Sequence, residues 1–237
     1  MSNTVKSFPC ETCRVRHKGI FADLESHNLS EISTKKGCQV FSKGELIFQE
    51  NQYPQGLYAI YQGKVKVFKT TESGKDHIFR LASEGDVLGY RSLISGEAYE
   101  VSAIPLVDTR VCFIPKQVFM SVLQESTNLT GQVMNLLSHD LRFAEEKLTK
   151  MAQKTVKERL AETLLMLKQY YGQEADDTGF INILLSREDL ANLVGTATET
   201  LIRALSDFKK EGLVDLQGKK IAILDVKRLD RMTKNFD

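Results

Sequence analysis

The stretch SREDLANLVGTATETLIRALSDFKKEGLVDLQGKKIAILD, residues 186–225, constrains the fold more than any other part of the chain. Ser186 stands where a helix N-cap belongs, and Asp189 follows in the acidic position of a capping box. The apolar pattern predicts a short helix that ends at Gly195, with a second helix, TETLIRALSDFKK, starting about two residues later. Helices joined so tightly must turn sharply and cross closely. Ala191 is small where they would cross, and Gly195 supplies the left-handed backbone of the turn. Leu190, Val194, Leu201, Leu205 and Phe208 form the apolar side, and LVDLQGKKIAILD reads as a hairpin with Lys219 and Lys220 at its tip.

The opposite face of the second helix carries Thr198, Glu199, Ile202, Arg203 and Ser206, brought together by spacings of three and four. Their chemistry suits the DNA major groove. Arg203 can bridge guanine O6 and N7, Glu199 can accept from cytosine N4, and Ile202 can touch a thymine methyl, with Thr198 beside them. Ser186, Thr196 and Thr200 fall where hydroxyls and helix-end N–H groups meet phosphates, and Lys219 and Lys220 reach the backbone from the hairpin. The competing reading is an ordinary amphipathic helix with an i, i+4 Glu199–Arg203 pair. Bulk charge does not decide between them. The chain has net charge +1, and residues 154–237 hold 14 Lys+Arg against 14 Asp+Glu. DNA binding here rests on where a few side chains are aimed.

Residues 37–115 break at glycines into short β-rich runs, GLYAIYQGKVKVFK, HIFRLASEGDVLGY and VSAIPLVDTRVCFIP, with TTESGKD as a turn. These runs predict a small antiparallel roll. Residues 116–151 turn helical, and Leu129, Val133, Leu137, Leu141, Ala144, Leu148 and Met151 form one stripe. Arg142, Glu145, Glu146 and Lys147 occupy the other faces, which predicts a helix whose seam (Val133, Leu137, Leu141, Ala144, Leu148, Met151) pairs with a second copy. Another helix, TVKERLAETLLMLKQYYG, leads through QEADDTG to the opening motif.

The fold class expected is α+β: an arm over 1–20, a β-roll over 21–120, a dimerisation helix over 121–153 and a winged helix-turn-helix over 154–237. Hydrophobic residues at 42% and charged residues at 27% fit a folded soluble chain. No apolar run approaches the roughly 20 residues of a membrane span, and the N-terminus lacks a signal-peptide core, so a cytoplasmic protein without membrane contact is expected. In a reducing compartment four cysteines do not imply disulfides, and the Cys10–Cys13 pair in CETC reads as thiols, a metal site or redox chemistry, while Cys38 reads as a small buried hydrophobe. No HExxH, GxSxG or P-loop motif is present, so an enzyme is not expected.

Roll, long helix and winged helix-turn-helix in this order resemble the bacterial Crp–Fnr superfamily of transcription regulators over about residues 20–230. The motifs that carry the likeness are KKGCQVFSKGELIFQENQYPQGLYAIYQGKVKVFK, EGDVLGY and SREDLANLVGTATETLIRAL. The resemblance implies an effector pocket at Asp86, Gly89, Arg91, Tyr99 and Glu100. Cyclic-nucleotide binders of the family carry glutamate where Asp86 stands, and arginine with serine or threonine where Tyr99 and Glu100 fall. A carboxylate there repels a phosphate, so cyclic AMP is not the expected ligand.

The segments DVLGYRSLISGEAYEVSA and TRVCFIP are similar to the oxygen-sensing Fnr branch. That likeness implies a [4Fe-4S] cluster on Cys10, Cys13 and Cys112, with the remaining arm ligand expected at the position of Gly19, while the cysteines themselves also admit zinc or thiol redox sensing. Where that branch holds an acidic residue against dimerisation, this chain has Ala144, which implies a constitutive dimer. Glu199 and Arg203 match positions shared across the superfamily, and Thr198 replaces an arginine of the cyclic-AMP regulators. Ile202 stands in place of a serine. A palindromic operator with TGA half-sites is implied, with RNA polymerase as a partner through the TTESGKD hairpin.

Overall fold

The computed structural model describes residues 3–5, 7–72, 74, 76–172 and 180–234. The chain divides into two compact units, residues 1–75 with 79–142, and residues 76–78 with 143–237.

The first unit is the roll. A five-stranded antiparallel sheet runs in the order β1 (Asn3–Val5), β2 (Gly37–Phe41), β8 (Thr109–Pro115), β3 (Gly56–Gln62), β6 (Val87–Leu88). A three-stranded sheet is ordered β5 (Asp76–Ala82), β4 (Val65–Thr70), β7 (Ser102–Pro105). Period-two alternation separates two cores. Phe41, Ile60, Val65, Val67 and Val111 fill the roll interior with Phe48 and Tyr99. On the other face of the five-stranded sheet, Leu57 and Ile114 meet α1 (Ser26–Lys35), α2 (Tyr90–Ser95) and α3 (Lys116–Glu125) through Ile32, Leu93 and Phe119. At about 25 cal/mol per Å² of buried apolar surface, such side chains dominate the folding energy.

The helical region expected over 116–151, with its dimerisation helix at 121–153, is two helices, α3 and α4 (Thr127–Gln153). Ser126 is extended at φ −101°, ψ 110°. Its hydroxyl donates to Glu25 Oε2 at 2.6 Å and accepts from Leu129 N–H at 3.2 Å, so it ends one helix and starts the next. Strand β1 and helix α1 were not expected from sequence. Ser73 and Lys75 of TTESGKD, and the loop 173–179, lie outside the described residues.

In the second unit, α5 (Val156–Tyr171) begins with a full capping box from Thr155 and Glu158. It packs on α6 (Arg187–Val194), α7 (Thr198–Lys210) and α8 (Val226–Thr233). The hairpin of β9 (Val214–Gln217) and β10 (Lys220–Ile223) completes the winged helix-turn-helix, Leu213, Val214 and Leu229 being buried.

Candidate functional site

The capping box of α6 forms as expected. Ser186 Oγ accepts from Asp189 N–H at 2.9 Å, and Asp189 Oδ2 accepts from Ser186 N–H at 3.2 Å and from its hydroxyl at 2.7 Å. The hydroxyl proton thereby goes to the cap, and Ser186 shapes the helix start. Gly195 closes α6 at φ 72°, ψ 52°. Arg159 of α5 holds this turn from beneath, donating from Nε to the Val194 carbonyl at 2.9 Å and from Nη2 to that of Gly195 at 3.0 Å. These charged bonds satisfy carbonyls that a helix end leaves orphaned. No motif in the sequence marks Arg159 for this task.

Helix α7 buries Leu201, Ala204, Leu205 and Phe208 and turns Glu199, Ile202, Arg203 and Ser206 to solvent, with Thr196, Thr198 and Thr200 half-buried. Ile202 is 48% exposed, a large apolar side chain held in water. Glu199 and Arg203, although i and i+4, form no ion pair, and neither has a hydrogen-bond partner among the described residues. At the helix start Ala197 offers no side-chain cap, so first-turn N–H groups stay open. Lys219 and Lys220 are exposed at the wing, whose tip carbonyl, Gly218 O, accepts from Arg187 Nη2 at 2.8 Å. Arg187, also unforeseen from sequence, ties the wing to the first helix of the motif.

Of the five expected effector residues, the structure brings Gly89 against Tyr99 and sets Asp86 and Arg91 both within reach of Asp140 on α4. Asp86 is taken up by its own turn, accepting from Ser83 N–H at 2.7 Å, and burial pushes its carboxyl above the ordinary range. Arg91 is exposed, with Nε 3.6 Å from Asp140 Oδ2 on α4, and Glu100 lies on the surface. Tyr90 also donates to Asp140, and burial pushes its phenol up to about 12. Tyr99 is 4% exposed and stacks on Phe48 with ring centroids 4.1 Å apart. Its ring lies 3.2 Å from where a Cβ on Gly89 would stand, and Tyr58 extends the stack 5.9 Å beyond Phe48. Aromatic rings occupy the roll interior where the expected pocket was placed. Arg91 and Glu100 lie at the surface, outside that aromatic stack.

On the opposite face of the sheet, Cys10, Cys13 and Cys112 line a cavity of about 50 Å³ with Arg16, Gly19 and Lys36. Arg14 and Lys18 fasten the arm through Glu84, at 3.3 and 4.0 Å.

Residues 38–126 match the family model of the cyclic nucleotide-binding domain, and residues 158–232 match that of the Crp-like helix-turn-helix domain. The chain belongs to the Crp–Fnr superfamily of transcription regulators. Electron transport regulator A of Shewanella oneidensis is 29% identical over 230 residues, covering 95% of this chain and 90% of its own. A CRP-like cAMP-activated global transcriptional regulator of Mycobacterium tuberculosis is 26% identical over 216 residues, covering 91% and 96%. A Crp/Fnr-family regulator of known structure from Eubacterium rectale superposes with a TM-score of 0.74 at 23% identity, over 91% and 98% of the two chains. This superfamily member thus joins a sensing domain of cyclic nucleotide-binding type to a helix-turn-helix that binds DNA.

The iron-sulfur cluster implied for the Fnr branch needs a sulfur at each corner iron. A Cβ on Gly19 would lie 2.2 Å from the Gly85 carbonyl oxygen, so the arm passes too close to the roll for any side chain there. The Cys38 and Cys112 sulfurs stand 3.5 Å apart, and the Lys36 ammonium lies 3.9 Å from Cys112 inside the thiol group. Among the described residues no group of three or more His, Cys, Asp or Glu side chains is placed to hold a metal ion. The residues present fit neither the cluster nor a tetrahedral zinc site.

The seam also needs correction. Val133 is 3% exposed and belongs to the roll's own helical core, and Leu137 is half-buried against the same core. Leu141, Ala144, Leu148 and Met151 are exposed, and so is Met134 at 63%. Positions 134, 137, 141, 144, 148 and 151 alternate steps of three and four, a strict a/d heptad register. Met134, not the buried Val133, shares the exposed stripe with Leu141, Ala144, Leu148 and Met151. The stripe read from sequence mixed two faces, because a 3.6-residue core face and a 3.5-residue seam diverge only slowly.

Proposed function

We propose that the chain acts in the cytoplasm as a homodimer that reads a palindromic DNA operator, without catalytic activity of its own. What carries this reading is the exposed face of α7, where Glu199 and Arg203 leave each other unpaired beside a water-exposed Ile202. A solvated helix would gain a few tenths of a kcal/mol by closing that pair. Left open, the carboxylate and guanidinium are available to cytosine N4 and guanine O6/N7, with Thr198 at the same edge. Thr196, Thr200 and the uncapped α7 N–H groups suit one phosphate, and Lys219 and Lys220 on the wing suit others. Pairing of two α4 helices along Met134, Leu137, Leu141, Ala144, Leu148 and Met151 would set two copies of α7 on one operator. RNA polymerase is the partner proposed for the bound dimer.

The effector we propose is not a cyclic nucleotide seated by Asp86, Arg91 and Glu100, since Asp86 is taken up by its own turn, Arg91 faces Asp140 and Tyr99 fills the interior. Fluorescence anisotropy tests the DNA reading. Labelled duplexes carrying a TGA…TCA palindrome should bind at least about a thousandfold more tightly than scrambled duplexes at equal salt. Equal affinity for both would refute it.

A further inference from the structure

Sequence assigns Cys38 to a hydrophobic interior and Cys112 to a metal, yet the fold sets them side by side. They are direct partners in the β2–β8 ladder, Cys38 at 1% and Cys112 at 7% exposure, with sulfurs 3.5 Å apart. We propose that Cys38 and Cys112 form a thiol pair which a hydroperoxide converts to an intrachain disulfide, loosening the N-terminal arm seated above it.

Three observations support the pair. Directly opposed antiparallel residues have Cα atoms about 4.5–5.5 Å apart, inside the range a disulfide spans, so rotation about side-chain bonds suffices to bring the sulfurs together. Cys112 lines the cavity under the arm, whose volume of about 50 Å³ has room for roughly three or four water-sized molecules, enough for a small peroxide. The third observation is Lys36, itself buried, whose ammonium donates to Cys112 Sγ at 3.9 Å. Burial pulls the lysine down, but negative charge on the sulfurs of Cys112, Cys10 and Cys38 raises it by more, so ammonium and thiolate support each other once a thiolate forms. That charge stabilises a thiolate as it forms. Burial still pushes the Cys112 thiol up to about 12, so the pair rests protonated and reduced until an oxidant enters.

The chemistry balances with the peroxide alone. One thiol sulfur attacks the outer peroxide oxygen; the O–O bond breaks, an S–O bond forms, and the departing oxygen leaves with the thiol proton as an alcohol or water. The second sulfur then displaces the sulfenic oxygen, forming the S–S bond and releasing water that carries the second proton. Two electrons pass from the sulfur pair to the peroxide. Cytoplasmic disulfides of this kind are transient and redox-sensing.

The arm feels the change through Lys36. Its ammonium lies 4.3 Å from the Phe8 ring centroid, and Phe8 packs on Tyr61 at 4.3 Å, while Cys10 N–H donates to Ser33 Oγ at 2.9 Å. A disulfide withdraws the Cys112 thiol from Lys36 and leaves Cys10 of the arm as the remaining sulfur partner of a buried ammonium, which shifts to regain contacts and disturbs its packing on Phe8.

The test is independent of DNA binding. Reduced full-length protein is treated with hydrogen peroxide, alkylated, denatured and digested with trypsin without reductant. The expected product is GCQVFSK, residues 37–43, linked to VCFIPK, residues 111–116, and separated again by dithiothreitol. The Cys10→Ser/Cys13→Ser variant keeps the pair and must give the same link. A Cys10–Cys13 bridge, or free Cys38 beside sulfinic Cys112, overturns the proposal. Before denaturation, limited trypsin should cut at Arg14, Arg16 and Lys18 about fivefold faster in oxidised than in reduced wild type, as expected for local opening. Equal rates, with the link formed, would overturn the coupling to the arm.

Discussion

Leu148 is 70% exposed in the single chain, so replacing it by alanine removes little that the monomer fold uses. If α4 pairs with a second copy, that exposed fraction is buried twice, once per protomer. Complete burial of a leucine side chain contributes about 1.5–3 kcal/mol, so 0.7 of it in two copies comes to about 2–4 kcal/mol per dimer. At 1.4 kcal/mol per decade, Leu148→Ala should raise the dimer dissociation constant by about 30- to 1,000-fold. Sedimentation equilibrium over nanomolar to micromolar concentrations reads this directly, with thermal unfolding at high dilution reporting the monomer. Val133→Ala is the control of opposite sign. Its side chain is 3% exposed inside the roll's own core, so about 2 kcal/mol of fold stability should go without a specific change in pairing. A dissociation constant unmoved by Leu148→Ala, or one moved as strongly by Val133→Ala at constant fold stability, would refute the heptad register.

Three further outcomes follow from the same contacts. Gly195→Ala places a Cβ on a residue at φ 72°, so it should cost about 1–2 kcal/mol in chemical denaturation; the Met151 Cε that this Cβ would approach at 3.2 Å is the free end of a flexible side chain and adds little. Arg159→Ala leaves the Val194 and Gly195 carbonyls without their charged donor, so DNA affinity should fall together with about 1.5–3 kcal/mol of stability, whereas a mutation confined to the reading face should spare stability. Burial raises the Asp86 pKa above 3.8, so the folded state binds this proton more tightly than the unfolded state. Stability should therefore decline as pH rises through and just above 3.8, and Asp86→Asn, which keeps an acceptor for Ser83 N–H, should remove that decline in pH-dependent urea titrations.

Local signals made the winged helix-turn-helix legible: a capping box, an obligatory left-handed glycine and apolar spacings all act within a few residues, and each formed as read. The roll was legible as a class, because glycine-bounded runs announce short strands. Its interior was not. That Tyr99 stacks on Phe48 follows from a pairing across about fifty residues of sequence, to which period and spacing are blind. The same holds for Lys36 among the thiols and for Cys38 against Cys112, both products of strand register. Gly19 is the most instructive position. As a sequence it was a missing ligand; in the fold it is where two backbones touch, with Gly85 O 2.2 Å from any added Cβ. Helix α1 escaped because its pattern is mixed, with Asn28 and polar residues interleaved among Leu29 and Ile32.

Base-resolved binding by Arg203→Ala separates a reading helix from one that only meets the DNA backbone. Anisotropy titrations would measure wild type and variant against the TGA palindrome and against duplexes with the half-site guanine replaced, all at fixed salt. A base contact should lose about 1–3 kcal/mol on the guanine duplex and almost nothing on the replaced duplexes, with stability unchanged. Equal weakening on every duplex would make Arg203 a phosphate contact and contradict the assignment of α7 as the reading helix.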